Sequence, residues 1–203
     1  MNIMRQILKD FRGGIKMSSK SIIQTKSSQK VAKFLNSNNL HKKDFAEMIG
    51  VTLSYVYNLI DNTIPFSTRS TTLERIATVM DISPEEFEEY KIPQEPLLAD
   101  DSIDFLKDTI KLKGLSIVSF LKAFPRKKRL EIVDILRGAS PLPIDFKELN
   151  MIAQVLDLKK DEVYLLWETR LKQVLEASGM NINANSALIN TMFDCAKKFI
   201  NLN

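Results

Sequence analysis

The sequence predicts an all-α fold of short helices joined by tight turns. Apolar residues recur at spacings of three and four along nearly the whole chain, the period of a helix with one buried face. Six glycines and seven prolines fall mostly between these stretches, beside residues that start or stop helices. Strict apolar–polar alternation, which marks half-buried strands, is nearly absent.

The elements follow in order. A first helix is expected over about Gln29–Asn36, with Val31, Phe34 and Leu35 inward and Asn36-Ser37-Asn38-Asn39 ending it. A second spans Lys42–Ile49, burying Phe45, Met48 and Ile49, with His41 at its N-cap. Gly50 follows it, where a helix exit favours positive φ. A third runs from Thr52, a good N-cap, to Ile60, before Asp61-Asn62-Thr63 and Pro65. A fourth opens at Thr71 with Glu74 three residues on, the spacing of a capping box. A fifth opens at Ser83-Pro84-Glu85-Glu86, with serine, proline and acid in helix-start order. Five short helices in this length make one small α domain, 27–92.

Lys42 to Ile60 reads as a single unit, KKDFAEMIGVTLSYVYNLI. One helix ends at Gly50, a short turn follows, and the next begins at Thr52. Ala46 is small where the two would cross, and Val51, Val56 and Leu59 would pin the second against the first. Such a unit holds its second helix proud of the surface, where it can enter a major groove. Phe45-Ala46, Ile49-Gly50-Val51, Val56 and Leu59-Ile60, followed by Leu73-x-x-Ile76-Ala77 and Ile82-Ser83-Pro84, resemble the Cro and phage-repressor helix-turn-helix family, the xenobiotic-response-element type. The resemblance covers about a third of the chain. It implies a five-helix domain that binds double-stranded DNA, commonly as a homodimer on a palindromic operator. Carried over by position, it implies that Leu53, Ser54, Tyr57 and Asn58 face base edges, and that Lys42, Thr52, Arg69 and Ser70 lie near phosphates. The chain departs from the family pattern in having no Arg or Gln on the reading helix, and Ile60 or Asp61 where an acid often ends it. Asn58 is the one residue there with bidentate base-reading chemistry. The alternative is a helix-turn-helix that packs on a partner protein and reads no bases.

A second, degraded copy follows. Pro65 pairs with Pro141, Leu73 with Leu149, Ile76 with Ile152, Ala77 with Ala153, Val79 with Val155, Asp81 with Asp157 and Glu86 with Glu162, all 76 positions apart. Phe34-Leu35 pairs with Phe105-Leu106 at 71. Self-similarity of this length points to a duplicated unit, so residues 102–167 are expected to form a divergent domain of the same kind, after a linker at 93–101. Its helix pair would be Ser116–Phe124 and Lys127–Leu136, closed by Arg137-Gly138, with Asp145 and Glu148 restoring a capping-box spacing downstream. Arg126, Lys127, Lys128 and Arg129 open the second helix of that pair. They read either as phosphate contacts or as a solvated charge run, and positive charge at that end of a helix is mildly unfavourable. Beyond, Glu162–Ser178 and Asn185–Ile200 can each form a helix, the first stopped by Gly179. The last carries a stripe of Leu188, Met192, Phe193, Ala196, Phe199 and Ile200, suited either to packing on the second domain or to a dimer or protein-partner interface within 168–203. Trp167 reads as a core residue.

Charge and composition bound the rest. The net charge is +4, and the excess lies in the leader, 1–26, where six basic residues from Arg5 to Lys26 face Asp10 alone. That leader reads as a solvated tail or as an arm along phosphates. No run of 18 apolar residues spans a membrane, and the first residues lack the apolar core of a signal peptide. A single cysteine, Cys195, fits a reducing, cytoplasmic setting. With one histidine and one cysteine, neither a common zinc site nor any other cofactor site is expected. No catalytic constellation or phosphate-cradling glycine loop is evident, so no enzyme is expected. Abundant Lys, Asn and Ile suggest an AT-rich bacterial or phage genome. The expectation is a two-domain transcriptional regulator, acting most simply as a repressor. An antitoxin or adaptor acting through protein contacts is the alternative.

Overall fold

The computed structural model describes residues 26–61, 63–92 and 101–202, which contain ten α-helices, one short 3₁₀ turn and no strand. The basic leader and the linker therefore lie outside the described residues, except that Lys26 and Asp101 each open a helix. The first half holds α1 (Lys26–Ser37), α2 (Lys42–Ile49), α3 (Leu53–Ile60), α4 (Ser70–Met80) and the 3₁₀ turn Pro84–Glu86. The second holds α5 (Asp101–Leu112), α6 (Ile117–Lys122), α7 (Arg126–Leu136), α8 (Phe146–Val155), α9 (Lys160–Ala177) and α10 (Ser186–Leu202).

Local chemistry sets the boundaries. His41 stands extended before α2 without a side-chain cap bond, and Gly50 leaves α2 at φ 71°. The Thr52 hydroxyl accepts the Tyr55 N–H at 3.2 Å, capping α3. Two expectations need correction. Helix α4 begins one residue earlier than Thr71, after an uncapped Arg69. Glu74 is not a capping partner but an inward residue, 2% exposed. The fifth helix is only the 3₁₀ turn. Phe87 leaves it in extended conformation to bury itself in a stack on Phe66, centroids 6.0 Å apart. Four glutamates at 85, 86, 88 and 89 would also repel one another in a continued helix.

The two halves repeat the same helices and turns, in register. Helices α1 and α5 are both 12 residues and start 75 positions apart, at 26 and 101. Each ends in a left-handed residue, Asn39 or Gly114. Leu40 N–H then returns to Leu35 O as Leu115 N–H does to Ile110 O. This corrects the 71-residue pairing of Phe34-Leu35. The N-caps His41 and Ser116 keep the same offset, as do the fully buried Phe45 and Phe120. From Arg69 and Asp145, the N-caps of α4 and α8, the offset is 76 as expected. Asp81 and Asp157 take the same positive φ, 55° and 49°. Between these stretches α6 is two residues shorter than α2, 6 against 8, so Pro125 caps α7 73 positions after Thr52 caps α3. Asp145 caps α8 through the Lys147 N–H, while Glu148 turns to Lys128 instead of completing a capping box.

The buried side chains of both halves form one continuous cluster. The broadest seam within it joins α2 to α7. Gly50 lies at this seam, and a Cβ there would stand 2.9 Å from both Leu130 methyls. Beside it a chain of charges crosses from α4 to α7. Arg75 donates to both oxygens of Asp134, at 2.9 and 3.0 Å. Arg137 donates to Asp134 at 2.8 Å and to Glu74 at 2.5 Å. The Tyr90 hydroxyl donates to the other Glu74 oxygen at 3.1 Å. Burial, and then the Glu74 charge, push the Tyr90 phenol up to about 12. Partial burial alone would raise the Asp134 carboxyl, but the hydrogen bonds of Arg75 and Arg137 prevail and hold it below the usual range. On the C-terminal side, Trp167 packs against Phe146 and Phe193 and donates its indole N–H to Ile144 O at 3.1 Å. It is a core residue, as expected. Helix α10 is held through buried Ile189 and Phe193.

Two outcomes follow for stability. Gly50→Ala should cost about 1–3 kcal/mol, since it adds a left-handed strain to a steric one, and Leu130→Ala should relieve part of that cost. In urea unfolding the double variant should be more stable than the two single losses predict; simple additivity would contradict the seam. Because Asp134 is depressed in the folded chain, its contribution is present above the ordinary carboxylate range and is lost as pH falls through its lowered folded value. Acid titration of unfolding should therefore show less loss below about pH 4 in Asp134→Asn, which starts from lower stability at neutral pH.

Candidate nucleic-acid interface

Helix α3 is short, and its two faces differ sharply. Val56 and Leu59 are buried, and Tyr55 anchors the helix by donating its hydroxyl to Thr68 Oγ1 at 2.5 Å. The opposite face carries Leu53, Ser54, Tyr57 and Asn58, all exposed, with Tyr57 at 54%. These are the four residues the family resemblance places at base edges, and the structure puts them together on one open surface. The buried anchors on the other side fix the helix, so this face is presented with little freedom to turn.

Cations surround it. Lys42 opens α2 and holds its ammonium over the Tyr57 ring, 5.1 Å from the centroid, a favourable charge–quadrupole contact. His41, Lys42, Lys43, Leu53, Tyr57 and Arg126 line a common groove of about 370 Å³, with Asp44 as its one acid. Arg126 comes from the second half, so the fold brings one member of the second basic cluster to the edge of the first reading face. Lys43 and His41 were not singled out by sequence reasoning. The signal for Lys43 was its place beside Lys42 in the first turn of α2. Thr52 is exposed but uses its hydroxyl as a cap. Arg69 is exposed at the N-cap of α4. Ser70 is half-buried and its hydroxyl donates to Lys91 O at 3.0 Å.

Two further members of the second basic cluster, Lys128 and Arg129, are committed within the protein. Arg129 is 8% exposed. It donates to Phe124 O at 3.2 Å and Lys122 O at 3.4 Å, and reaches Asp44 of α2 at 3.4 Å. It thereby closes the carbonyl end of α6, where positive charge is favoured. That corrects its assignment to phosphate. Lys128 pairs with Glu131 and Glu148 at 2.9 and 3.0 Å, and the hydrogen bonds to Glu131 and Glu148 hold its ammonium above the usual lysine range. Lys127 stays exposed. Arg126, 57% exposed, stands 3.6 Å from Asp44 and 3.4 Å from Glu47. These are charge contacts rather than hydrogen bonds, and Glu47 Oε2 has no hydrogen-bond partner. The register explains the arrangement. Arg126, Leu130 and Glu131 occupy in α7 the places of Leu53, Tyr57 and Asn58 in α3, and the first two are turned onto α2 and Gly50. The second copy's corresponding face therefore meets the first half along one edge, through Arg126 and half-buried Leu130, while Arg126, Lys127 and Glu131 remain exposed.

Among the described residues no group of three His, Cys, Asp or Glu stands together as a metal site, and no helix is long and apolar enough to cross a membrane. The chain matches no family model, no curated protein and no solved structure.

Proposed function

We propose that this chain is a sequence-specific DNA-binding regulator of the Cro and phage-repressor type, which reads double-stranded DNA through α3 and uses a divergent second copy of the same unit as a brace. The open face of Leu53, Ser54, Tyr57 and Asn58, bordered on one side by Lys42, Lys43 and Arg126, carries the reading. A major groove about 12 Å wide admits such a helix. Asn58 can pair with an adenine edge, while Leu53 and Tyr57 offer apolar contact to thymine methyls. The surrounding cations supply the phosphate contacts that set affinity and register. With one open reading helix per chain, a palindromic operator needs two copies, so the working form is a homodimer in the cytoplasm that represses by occluding a promoter. The second half is not assigned a second half-site, because Arg126 and Leu130 on the matching face of α7 are engaged with α2 and Gly50.

A second reading draws support from α10. Its inner side is packed, yet Leu188 and Met192 are 57% and 51% exposed. The side chains of Phe199 and Ile200, expected on the same stripe, lie outside those described. Such an apolar face suits an antitoxin or adaptor that binds a partner protein, and it is equally the place where two copies would meet.

Selection from random duplex DNA, followed by binding measurements, tests the primary reading. Wild type should enrich one motif. Asn58→Ala should lose about 1–3 kcal/mol of discrimination at one base pair. Arg126→Ala and Arg69→Ala should weaken all sequences alike, each reducing the log–log salt slope by about 1. Lys128→Ala, whose ammonium is already paired within the second half, should change neither. No enrichment at low salt, with a stoichiometric protein partner captured instead, would favour the adaptor reading.

A further inference from the structure

The joint between the halves leaves a concavity of about 340 Å³, bounded by the end of α4, the 3₁₀ turn, α5 and the last turn of α7. That volume falls at the lower end of small-ligand sites. Its walls divide by chemistry. Ile82, Ile117 and Leu136 supply an apolar floor, while Lys107, Lys111 and Arg137 supply cations. Lys107 and Lys111 stand one turn apart on α5, where like charges repel, and neither is within ion-pair distance of a carboxylate among the described residues. Lys107 is half-buried against the floor. Arg137 spends Nε on Asp134 and Nη1 on Glu74, and its Nη2 makes no hydrogen bond within the described residues. Of the two acids that reach the walls, Glu74 is already held by Arg137 and Tyr90. Asp81 is exposed at the end of α4. Two lysines without a carboxylate partner among the described residues, with Nη2 of the committed Arg137, thus face one uncommitted carboxylate over an apolar floor.

We infer that this concavity binds a small amphipathic carboxylate, its head between Lys107, Lys111 and Arg137 and its short apolar body on Ile82, Ile117 and Leu136. Charge and shape both enter the argument. An uncharged body of the same length would gain only the floor, and a short carboxylate only the cations. A ligand there also sits against the arginine that links the two halves, at the joint rather than at the reading face.

Calorimetry and amide chemical-shift titration of the full chain, without DNA, test this with three probes: octanoate, octanol and acetate. Octanoate should bind saturably, at least tenfold more tightly than octanol or acetate, with shifts at Thr78, Ile117 and Gly138. The Lys107→Ala/Lys111→Ala double variant should keep its unfolding temperature and lose at least tenfold in octanoate affinity. Octanol binding as well as octanoate would reduce the cavity to an apolar groove and overturn the inference. So would acetate binding as well as octanoate, absence of saturation, or octanoate affinity unchanged in the double variant. Because no DNA is present, these outcomes are separate from those of the DNA-binding reading.

Discussion

The seam between α2 and α7 is the constraint on which the rest of the architecture depends. One side of α2 supports α3, and another receives α7. Gly50 allows the close approach because it has no Cβ to meet Leu130, and its left-handed conformation turns the chain into α3. The charge chain Glu74–Arg137–Asp134–Arg75 closes the same joint from the α4 side. Glu74 and Arg137 are too deeply buried to stand unpaired. Removing either leaves an uncompensated charge, which costs more than the pair contributes. The joint is therefore specified by polar complementarity as well as by packing.

Across that seam the two halves repeat much of one helical pattern. Helix starts correspond at Lys26 and Asp101 and at Ser70 and Phe146, and left-handed exits at Asn39 and Gly114 and at Asp81 and Asp157, yet α3 and α7 differ in what meets their outward positions. In α3 the outward positions are open. In α7 the corresponding positions hold Arg126 and Leu130, which meet the first half, and the place of buried Val56 is taken by buried Arg129. An arginine is tolerated there because it finds two carbonyls at the end of α6 and the Asp44 carboxylate. The first helix of the second pair is also shorter, six residues in α6 against eight in α2, and the three-residue turn after it has no left-handed glycine. Divergence at a few positions is enough to dock one edge of α7 onto the first half, while Lys127 and Glu131 stay exposed.

Much of this was legible in the sequence. Helix periodicity, the Gly50 exit, the Thr52 cap and the 76-residue offset located nearly every element, because these signals are local. The misreadings share a cause: a long-range partner overrode a local pattern. Glu74 has capping-box spacing from Thr71, but Arg137, 63 residues away, takes its carboxylate. The acids after Pro84 look like a helix start, but Phe87 leaves the turn to stack on Phe66. Lys128 and Arg129 read as part of a phosphate patch, because no sequence pattern shows that Glu148 and Asp44 lie beside them. The exposed face of α3 was legible only through the family resemblance, which supplied an orientation that periodicity leaves undefined on an eight-residue helix.

Photocrosslinking to duplex DNA tests the division of labour most directly. A photoreactive amino acid would be placed in the full chain at Asn58, on the open face of α3, or at Glu131, its positional counterpart on α7. The account predicts a DNA adduct from position 58 and none from position 131. An adduct from 131 without one from 58 would show that the second copy is the reader and would contradict the brace.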